Sequence, residues 1–380
     1  MKKIVVLGAG MVGKEVARDL CLEFKVTSVD MSAEALKSAF TGSPVETIQA
    51  DLSRPETIQK IVEPFDLVVG ALPGFMGKQA LTAVISAGKN AVDIAFFPED
   101  PFDLDELARK NDVTAVVDFG VAPGMSNVFM GYHSKKMQSV ERFECLVGGL
   151  PVIRERPFEY RAVFSPSDVI EEYTRTARYV ENGREVLRPA LTDVEQIFID
   201  DVGTLEAFNT DGLRTLERTM KAPNMKEKTM RYPGHALLMQ AFRDSGFFDK
   251  EPMEFHGLRI SPLEFTSRIL FPKWRLKEDE DDFTAMRVTI EGTSREGRRE
   301  TIVYNLLDRF DREKRVTSMA RTTGYACTGA VRLLAGGMFK RKGICPPEFL
   351  GEEEDCFNFL MKHLEERGVR YNRSVTARQG

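Results

Sequence analysis

The pattern of apolar and polar positions divides the chain into two parts. In the first part, Ile4–Leu7 is an unbroken apolar run with β-branched residues, which is typical of a strand buried on both faces. Similar segments recur, separated by stretches with helical periodicity, and we predict the further strands Lys25–Asp30, Val45–Asp51, Phe65–Val69, Asn90–Ala95 and Val113–Asp118. Six strands alternating with helices predict an α/β fold with a doubly wound parallel sheet.

The regular alternation ends near residue 122, and strands and helices then follow one another irregularly. Thr284–Glu291 and Glu300–Asp308 alternate as strands of a mostly antiparallel sheet do, whereas Thr322–Leu334 and Cys356–Arg367 have helical spacing. We therefore expect a first domain at 1–122, completed by C-terminal helices within 322–380. A mixed α/β domain at 123–321 would bind substrate and form the oligomer.

A glycine motif lies at the first strand-to-helix junction. Gly8, Gly10 and Gly13 have the spacing GxGxxG and stand directly between the first strand and a helix. Gly8 allows the tight turn, Gly10 admits a pyrophosphate, and Gly13 lets the helix pack on the strand. The helix N-terminus then offers free N–H groups and a positive dipole to the phosphates. This context predicts a Rossmann domain that binds a dinucleotide.

The second strand ends in Asp30, where a carboxylate usually binds the ribose hydroxyls and repels a 2′-phosphate. We therefore predict NAD rather than NADP, the alternative being an ordinary solvated aspartate. Asp51 could contact the adenine or cap a helix. The predicted cofactor contacts are Gly8, Gly10, Met11, Val12, Gly13, Asp30, Asp51, Ala71, Leu72, Pro73, Gly120 and Val121.

Composition narrows the class of protein. The chain has 380 residues, 42% of them hydrophobic and 29% charged, as expected for a soluble globular protein of about two domains. The net charge of −5 and the lack of a basic tract argue against nucleic acid. The sequence shows no membrane span, and strand 1 leaves no room for a signal peptide. Five scattered cysteines without CxxC spacing argue against disulfides and zinc, so we expect a cytoplasmic protein without a metal.

Several further motifs occur in a fixed order along the chain. After the glycine motif come Asp118–Gly124, Gly148–Pro151, Arg231–Ala236 and Met319–Thr323. Together they resemble the saccharopine dehydrogenase-like family over essentially the full length. Within that family, Gly120–Met125, Pro157–Tyr160, Val163–Ser165, Leu205–Thr210 and Ala320–Thr323 are most similar to the lysine 6-dehydrogenases.

The resemblance implies a homodimeric NAD-dependent oxidoreductase that acts on CH–NH2 or CH–NH groups. For lysine, the side-chain amine would be oxidised to 2-aminoadipate 6-semialdehyde, which cyclises to piperideine-6-carboxylate, with release of ammonia. One stretch departs from the pattern, because Phe96, Phe97, Glu99 and Asp100 follow Asp93 where small residues or histidine are usual. These side chains would reshape the substrate pocket.

Oxidation of an amine requires a group that accepts its proton, because an ammonium cannot release hydride. Asp93 and Asp118 end strands 5 and 6, and each could bind or deprotonate the amine, or equally cap a loop. His235 could act as a base or an orienting donor, or be structural. The predicted catalytic residues are Asp93, Asp118 and His235.

The amino acid end of the substrate needs a cationic partner, and Arg231 is the predicted carboxylate clamp. If 159–161 is a strand, Glu159 and Arg161 would share the cleft side while Tyr160 faces away; an ordinary ion pair is the alternative. Cys145 is expected in the core. The predicted substrate-binding residues are Gly124, Glu159, Tyr160, Arg161, Thr210 and Arg231.

Two other functions fit the sequence. A saccharopine-type enzyme would act on a secondary amine and would need two or three arginines for carboxylates, which this chain could provide. A regulatory protein would bind NAD without turnover, as Rossmann domains sometimes do.

Overall fold

The computed structural model describes residues 1–277 and 280–378, which form two compact units. The first contains Met1–Gln138 and Ala320–Arg370, and the second contains Ser139–Met319 and the strand Tyr371–Arg378. The strands are β1 Lys3–Leu7, β2 Lys25–Asp30, β3 Glu46–Gln49, β4 Leu67–Gly70, β5 Asn90–Asp93, β6 Thr114–Val116, β7 Met137–Pro151, β8 Ala177–Glu181, β9 Arg184–Arg188, β10 Glu195–Ile199, β11 Gly203–Asn209, β12 Asn224–Arg231, β13 Met253–Phe255, β14 Leu258–Ile260, β15 Asp282–Ser294, β16 Arg299–Arg309, β17 Gly343–Cys345 and β18 Tyr371–Arg378.

Both units also contain α-helices. In chain order these are α1 Gly13–Leu20, α2 Ala33–Phe40, α3 Pro55–Val62, α4 Gly74–Ser86, α5 Asp105–Lys110, α6 Met125–Lys136, α7 Pro166–Thr174, α8 Leu216–Thr219, α9 His235–Asp244, α10 Pro262–Trp274, α11 Ser318–Ala335, α12 Pro347–Gly351 and α13 Glu354–Glu366. Among the helices of the described ranges, none has both the length and the apolar character that crossing a bilayer requires. The sequence also contains a run of charged residues at 277–282, for which we predict a solvated loop, and this run lies partly outside the described residues.

A parallel sheet forms the centre of the first unit. Its seven strands have the order β17-β6-β5-β4-β1-β2-β3. The chain adds β2 and β3 on one side of β1 and then adds β4, β5 and β6 on the other side. Residues 4–7 of β1 have no exposed surface, because helices cover both faces of the sheet. The predicted α/β fold with a doubly wound parallel sheet is confirmed. The sequence does not predict the seventh strand, β17, because only two apolar residues stand between Gly343 and Pro346, too few to show a pattern.

Buried ion pairs join the C-terminal helices to α1. Arg332 on α11 and Arg367 after α13 each donate to the carboxylate of Asp19 at 2.7 Å. The guanidinium groups hold the pKa of Asp19 below its ordinary value, although burial opposes this shift. These contacts place 320–370 in the first unit. Helix α6 also lies there, whereas the segment 371–378, expected among the C-terminal helices, is the edge strand β18 beside β16 in the second unit.

The second unit contains a nine-stranded mixed sheet. Its main path is β10-β11-β12-β7-β15-β16-β18, and β8 and β9 extend it from β12. The pairing of β7 with β12 is parallel, whereas β15 with β16 and β16 with β18 are antiparallel. Residues of α7, α9 and α10 form an apolar cluster around the fully buried Trp274.

Candidate cofactor and substrate sites

Two glycines of the turn, Gly8 and Gly13, have no room for a side chain. Gly8 has a φ of 108°, and its N–H donates to the carbonyl of Val29 at 2.7 Å. A Cβ atom on Gly8 would collide with the carbonyl of Ala71, and one on Gly13 would collide with the carbonyl of Gly8. Both glycines are therefore required by the fold of the turn itself.

Gly10 differs from the other two glycines of the motif. A Cβ atom there would meet nothing within 4 Å, so open space lies above this residue. Lys14 makes the first bond of the helix, to the carbonyl of Gly10 at 3.1 Å, which leaves the N–H groups before it directed outward from the helix end. Met11 and Val12 are half-buried at this position. The open space and the free helix end fit a dinucleotide pyrophosphate.

The carboxylate of Asp30 lies against this turn. Its Oδ2 accepts a hydrogen bond from the N–H of Ala9 at 2.8 Å, and its Oδ1 accepts one from Ser32 at 2.8 Å. A carboxylate has about four lone-pair positions, so acceptor capacity remains on both oxygens. Lys37, on α2, is the nearest basic residue after Asp30 in the sequence. Asp30 thus combines a structural role in the turn with the capacity to bind ribose hydroxyls.

The other predicted cofactor contacts surround the ends of β3 and β4. Asp51 is exposed and accepts from the N–H of Ser53 at 2.9 Å, and this hydrogen bonding lowers the pKa of its carboxyl. This bond closes the turn before α3 and does not cap the helix, whose N-cap residue is Arg54. Ala71 lies against Gly8 and Gly13, Leu72 is half-buried, and Pro73 precedes the first residue of α4.

Two buried carboxyl groups lie at the ends of β5 and β6. Asp93 is 3% exposed, and its Oδ1 accepts from the N–H of Ala95 at 2.7 Å. Its side chain covers Gly70, where no Cβ atom would fit. Burial raises the pKa of Asp93 to about 8, and the charge of Asp118 adds to this shift. Asp118 is also buried and has a φ of 53°. The structure therefore brings these two predicted residues together.

The loop that follows Asp118 is tightly closed. Gly120 donates to the carbonyl of Pro123 at 3.0 Å and accepts from the N–H of Met125 at 3.0 Å. Gly124 has a φ of 139°, and a Cβ atom on it would collide with Gly120. Thr323 of α11 packs beside Gly120, and Val121 is buried. These contacts fix the loop at the same edge of the first sheet as Asp93.

Arg231 in the second unit is fully enclosed. Its Nη2 donates to Glu172 at 2.7 Å, its Nη1 to the carbonyl of Met230 at 2.9 Å, and its Nε to the hydroxyl of Tyr173 at 3.4 Å. The guanidinium also lies 4.7 Å from the ring centre of Tyr160. All three nitrogens thus have partners inside the unit, an arrangement that favours a structural role for Arg231 over the predicted carboxylate clamp.

His235 belongs to the same buried network. Its Nδ1 lies 3.0 Å from the carbonyl of Phe158 and its Nε2 lies 2.9 Å from the hydroxyl of Tyr173. A carbonyl only accepts, so Nδ1 carries the hydrogen and Nε2 accepts from Tyr173. Burial and the neighbouring Arg231 lower the pKa of His235 to about 3. Both ring nitrogens are occupied, which favours the structural alternative for this histidine.

The predicted strand at 159–161 is wrong. Glu159 lies in a turn with a φ of 47° and accepts from Nε of Arg154 at 2.8 Å. Arg161 donates to Glu280 at 3.0 and 3.1 Å and also pairs with Glu155. Glu159 and Arg161 therefore form separate ion pairs, and alternation along a strand does not apply to them.

The remaining predicted residues of the second unit are internal. Thr210 is 4% exposed, and its hydroxyl lies 3.0 Å from that of Thr229. Cys145 is fully buried within β7, as expected for a core residue.

Two carboxylates that have no recognisable sequence signal hold helix N-termini in place. Glu206 accepts from the N–H groups of Gly234 at 2.8 Å and Ala236 at 2.6 Å, which fixes the start of α9. Asp282 accepts from the N–H groups of Ser318 at 2.7 Å and Met319 at 3.2 Å. Both caps come from distant strands, so no local capping pattern marks them.

Comparison with known proteins identifies the family. Residues 4–116 match the model of the saccharopine dehydrogenase NADP binding domain, and residues 120–369 match that of the saccharopine dehydrogenase C-terminal domain. The chain therefore belongs to the saccharopine dehydrogenase family. The family predicted from the motifs is confirmed, and with it the class of oxidoreductase.

Curated relatives are distant in sequence. A saccharopine dehydrogenase [NADP(+), L-glutamate-forming] of Schizosaccharomyces pombe is 21% identical, with 99% of both chains covered. The protein of the same name from Pyricularia oryzae is 23% identical over 78% of this chain and 69% of its own length. The alpha-aminoadipic semialdehyde synthase of Arabidopsis thaliana is 26% identical over 60% of this chain, which spans 23% of that protein.

Two solved structures have the same fold over nearly the whole chain. The apo saccharopine dehydrogenase (L-Glu forming) of Saccharomyces cerevisiae matches with a TM-score of 0.78 at 17% identity, covering 99% of this chain and 100% of its own. The homospermidine synthase of Legionella pneumophila, in complex with NAD, matches with a TM-score of 0.70 at 11% identity, covering 99% and 91%.

Proposed function

We propose that this chain is an NAD-dependent dehydrogenase that oxidises the side-chain amine of an amino acid, with L-lysine as the first candidate. The observation that carries the cofactor choice is Asp30, whose carboxylate is fixed against the glycine turn by Ala9. A 2′-phosphate in this position would meet a negative charge. NADP stands in the names of the matching domain model and of two relatives, so this chain would differ from them in cofactor.

The nicotinamide, when bound, accepts the hydride that leaves the carbon next to nitrogen. The chain's own residues must remove the proton of the ammonium, because only the neutral amine can lose hydride. We assign this task to the buried pair Asp93 and Asp118 at the ends of neighbouring strands. Because the pKa of Asp93 is raised to about 8 by burial, its carboxylate becomes available only in mildly alkaline solution.

The proposed reaction balances in atoms and charge. The side-chain ammonium loses one proton, the neutral amine loses hydride to NAD⁺, and the protonated imine takes up water. The products are 2-aminoadipate 6-semialdehyde, NADH, ammonium and one proton, and the semialdehyde then cyclises to piperideine-6-carboxylate.

An assay of lysine with NAD⁺ tests this proposal. We expect NADH and ammonia in equal amounts, with NADP⁺ a poorer acceptor. If saccharopine but not lysine gives NADH, the lysine activity is excluded. If NADH binds but no amine in a broad panel is oxidised, the regulatory function is favoured instead.

A saccharopine-type activity is the second candidate, because the yeast and fungal relatives that cover most of the chain carry that name. It requires two or three arginines for carboxylates. Arg161 and Arg231 are already bound to Glu280 and Glu172, so they are poor candidates for this role.

We also propose a cytoplasmic homodimer. The five free cysteines suit a reducing compartment. Light scattering coupled to size-exclusion chromatography would give twice the chain mass of 42.8 kDa for a dimer.

A further inference from the structure

A cavity of about 350 Å³ opens in the second unit, where β7 and β16 end and β15 begins. This volume is at the lower end of the range for small-molecule sites, which begins at about 300 Å³. Its lining combines three apolar side chains, two guanidinium groups and one carboxylate: Val152, Ile153, Phe310, Arg312, Arg315 and Asp281.

Backbone bonds hold the lining segments together. The N–H of Val152 donates to the carbonyl of Asp281 at 2.9 Å, which joins the segment after β7 to the start of β15. Asp311 and Val316 exchange two backbone bonds of 2.9 and 3.1 Å, and these close the turn that carries Arg312 and Arg315. Backbone hydrogen bonds therefore hold the segments that carry Asp281, Arg312 and Arg315.

Arg312 presents one edge of its guanidinium to solvent. Its Nε and Nη2 both donate to Oδ2 of Asp281, at 3.1 and 2.5 Å. Within the described ranges, Nη1 makes no hydrogen bond, so the outer edge of the group remains available. Such an edge can donate two parallel bonds to a carboxylate.

Asp281 has a complementary open position. Both bonds from Arg312 end on Oδ2, so Oδ1 accepts no bond from the described part of the chain. The side chain of Asp281 is 24% exposed, which leaves this oxygen within reach of a ligand. An ammonium group is the natural partner for a half-buried carboxylate oxygen in this setting.

We propose that this cavity binds a free α-amino acid as its zwitterion. The α-carboxylate binds the outer edge of Arg312, the α-ammonium binds Oδ1 of Asp281, and the side chain packs on Val152 and Ile153. This proposal does not depend on the proposed function, because amino acid binding at the cavity can be measured whether or not the chain oxidises an amine.

Calorimetric titration of the full chain with L-lysine and L-glutamate tests the site. We expect Arg312→Gln with Asp281→Asn to weaken binding about tenfold or more, since two charge-assisted contacts are lost. Arg298→Gln, at the opposite end of the β15–β16 hairpin, is the matched control and should bind as the natural chain does. Analogues separate the two contacts: 1,5-diaminopentane lacks the carboxylate and 6-aminohexanoate lacks the α-ammonium, and both should bind weakly.

A second variant keeps the ion pair intact. Ile153 is 67% exposed, so Ile153→Trp fills the cavity without disturbing the core and should also weaken binding. Unchanged affinity in both variants would overturn the site, even if lysine is oxidised. Amino acid binding that both variants lose, in a chain that oxidises no amine, would support the site while excluding the proposed function.

Discussion

The Oδ2 atom of Asp30 accepts a hydrogen bond of 2.8 Å from the backbone N–H of Ala9. This bond joins the end of β2 to the glycine turn, so the carboxylate is fixed before any cofactor binds. We propose that this carboxylate selects NAD over NADP, and changing this one side chain tests the proposal.

Replacing Asp30 by Ala should weaken NAD⁺ binding about tenfold or more, because the ribose hydroxyls lose their charged acceptor. The ratio of NADP⁺ to NAD⁺ affinity should rise, since the repulsion of the 2′-phosphate is removed. Asp66→Ala is the control, because Asp66 also accepts a backbone N–H, from Lys3 at 2.7 Å, but at the opposite ends of the strands. Equal effects of the two changes on NAD⁺ affinity would refute the ribose assignment.

Gly10→Ala and Gly13→Ala should separate binding from folding. A Cβ atom at Gly10 meets open space, so this variant should keep its thermal stability while losing affinity for NADH, because the methyl group occupies the space for pyrophosphate. A Cβ atom at Gly13 collides with the carbonyl of Gly8, so that variant should unfold at a lower temperature. Thermal unfolding and NADH fluorescence measured on both variants check this contrast.

Asp93 should make the stability of the protein depend on pH. Its pKa of about 8 in the folded chain lies above the ordinary value of 3.8, so the folded state holds the proton more tightly than the unfolded state. The free energy of unfolding should therefore fall as pH rises from about 4 to about 8, by up to about 1.4 kcal/mol per pH unit, and level off above that.

Asp93→Asn should remove this dependence of the free energy of unfolding on pH, because the amide does not titrate. Denaturant unfolding between pH 5 and pH 9 provides the measurement. The same substitution should abolish the rise of kcat/KM with pH that an ionising Asp93 produces. A variant with the same pH dependence as the natural chain in both measurements would contradict the assignment of Asp93.

Arg231→Met should destabilise the second unit by about 2–3 kcal/mol, because it leaves the partly buried Glu172 without its cation. The double variant Arg231→Met with Glu172→Gln should recover much of that loss. Arg298→Met, on an exposed turn, should change the free energy of unfolding by less than about 0.5 kcal/mol. If Arg231→Met unfolds like the natural chain but raises KM for the amino acid, Arg231 is a substrate clamp after all.

The sequence predicts much of the first unit because local patterns determine it. Ile4–Leu7 and the glycine motif require a strand, a tight turn and a helix, and Asp93 is predictable as the end of a strand. The raised pKa of Asp93 is not predictable in the same way, because it depends on burial and on Asp118, which follows another strand.

The second unit depends on contacts between distant residues. The spacing of Glu159 and Arg161 suggests a strand with a shared face, but Arg154 and Glu280 bind them as separate ion pairs around a turn. Arg231 ends β12 and His235 begins α9, but their partners Glu172 and Tyr173 come from another helix. The spacing of residues along the chain indicates neither the pairing of Arg231 with Glu172 nor that of His235 with Tyr173.

The most direct test of the proposed function is the stoichiometry of one reaction, L-lysine with NAD⁺ at mildly alkaline pH. We predict one NADH and one ammonia for each lysine consumed, with kcat lowered about a hundredfold in Asp93→Asn at unchanged NADH affinity. Consumption of saccharopine but not lysine, or full activity in Asp93→Asn, would contradict the proposed function.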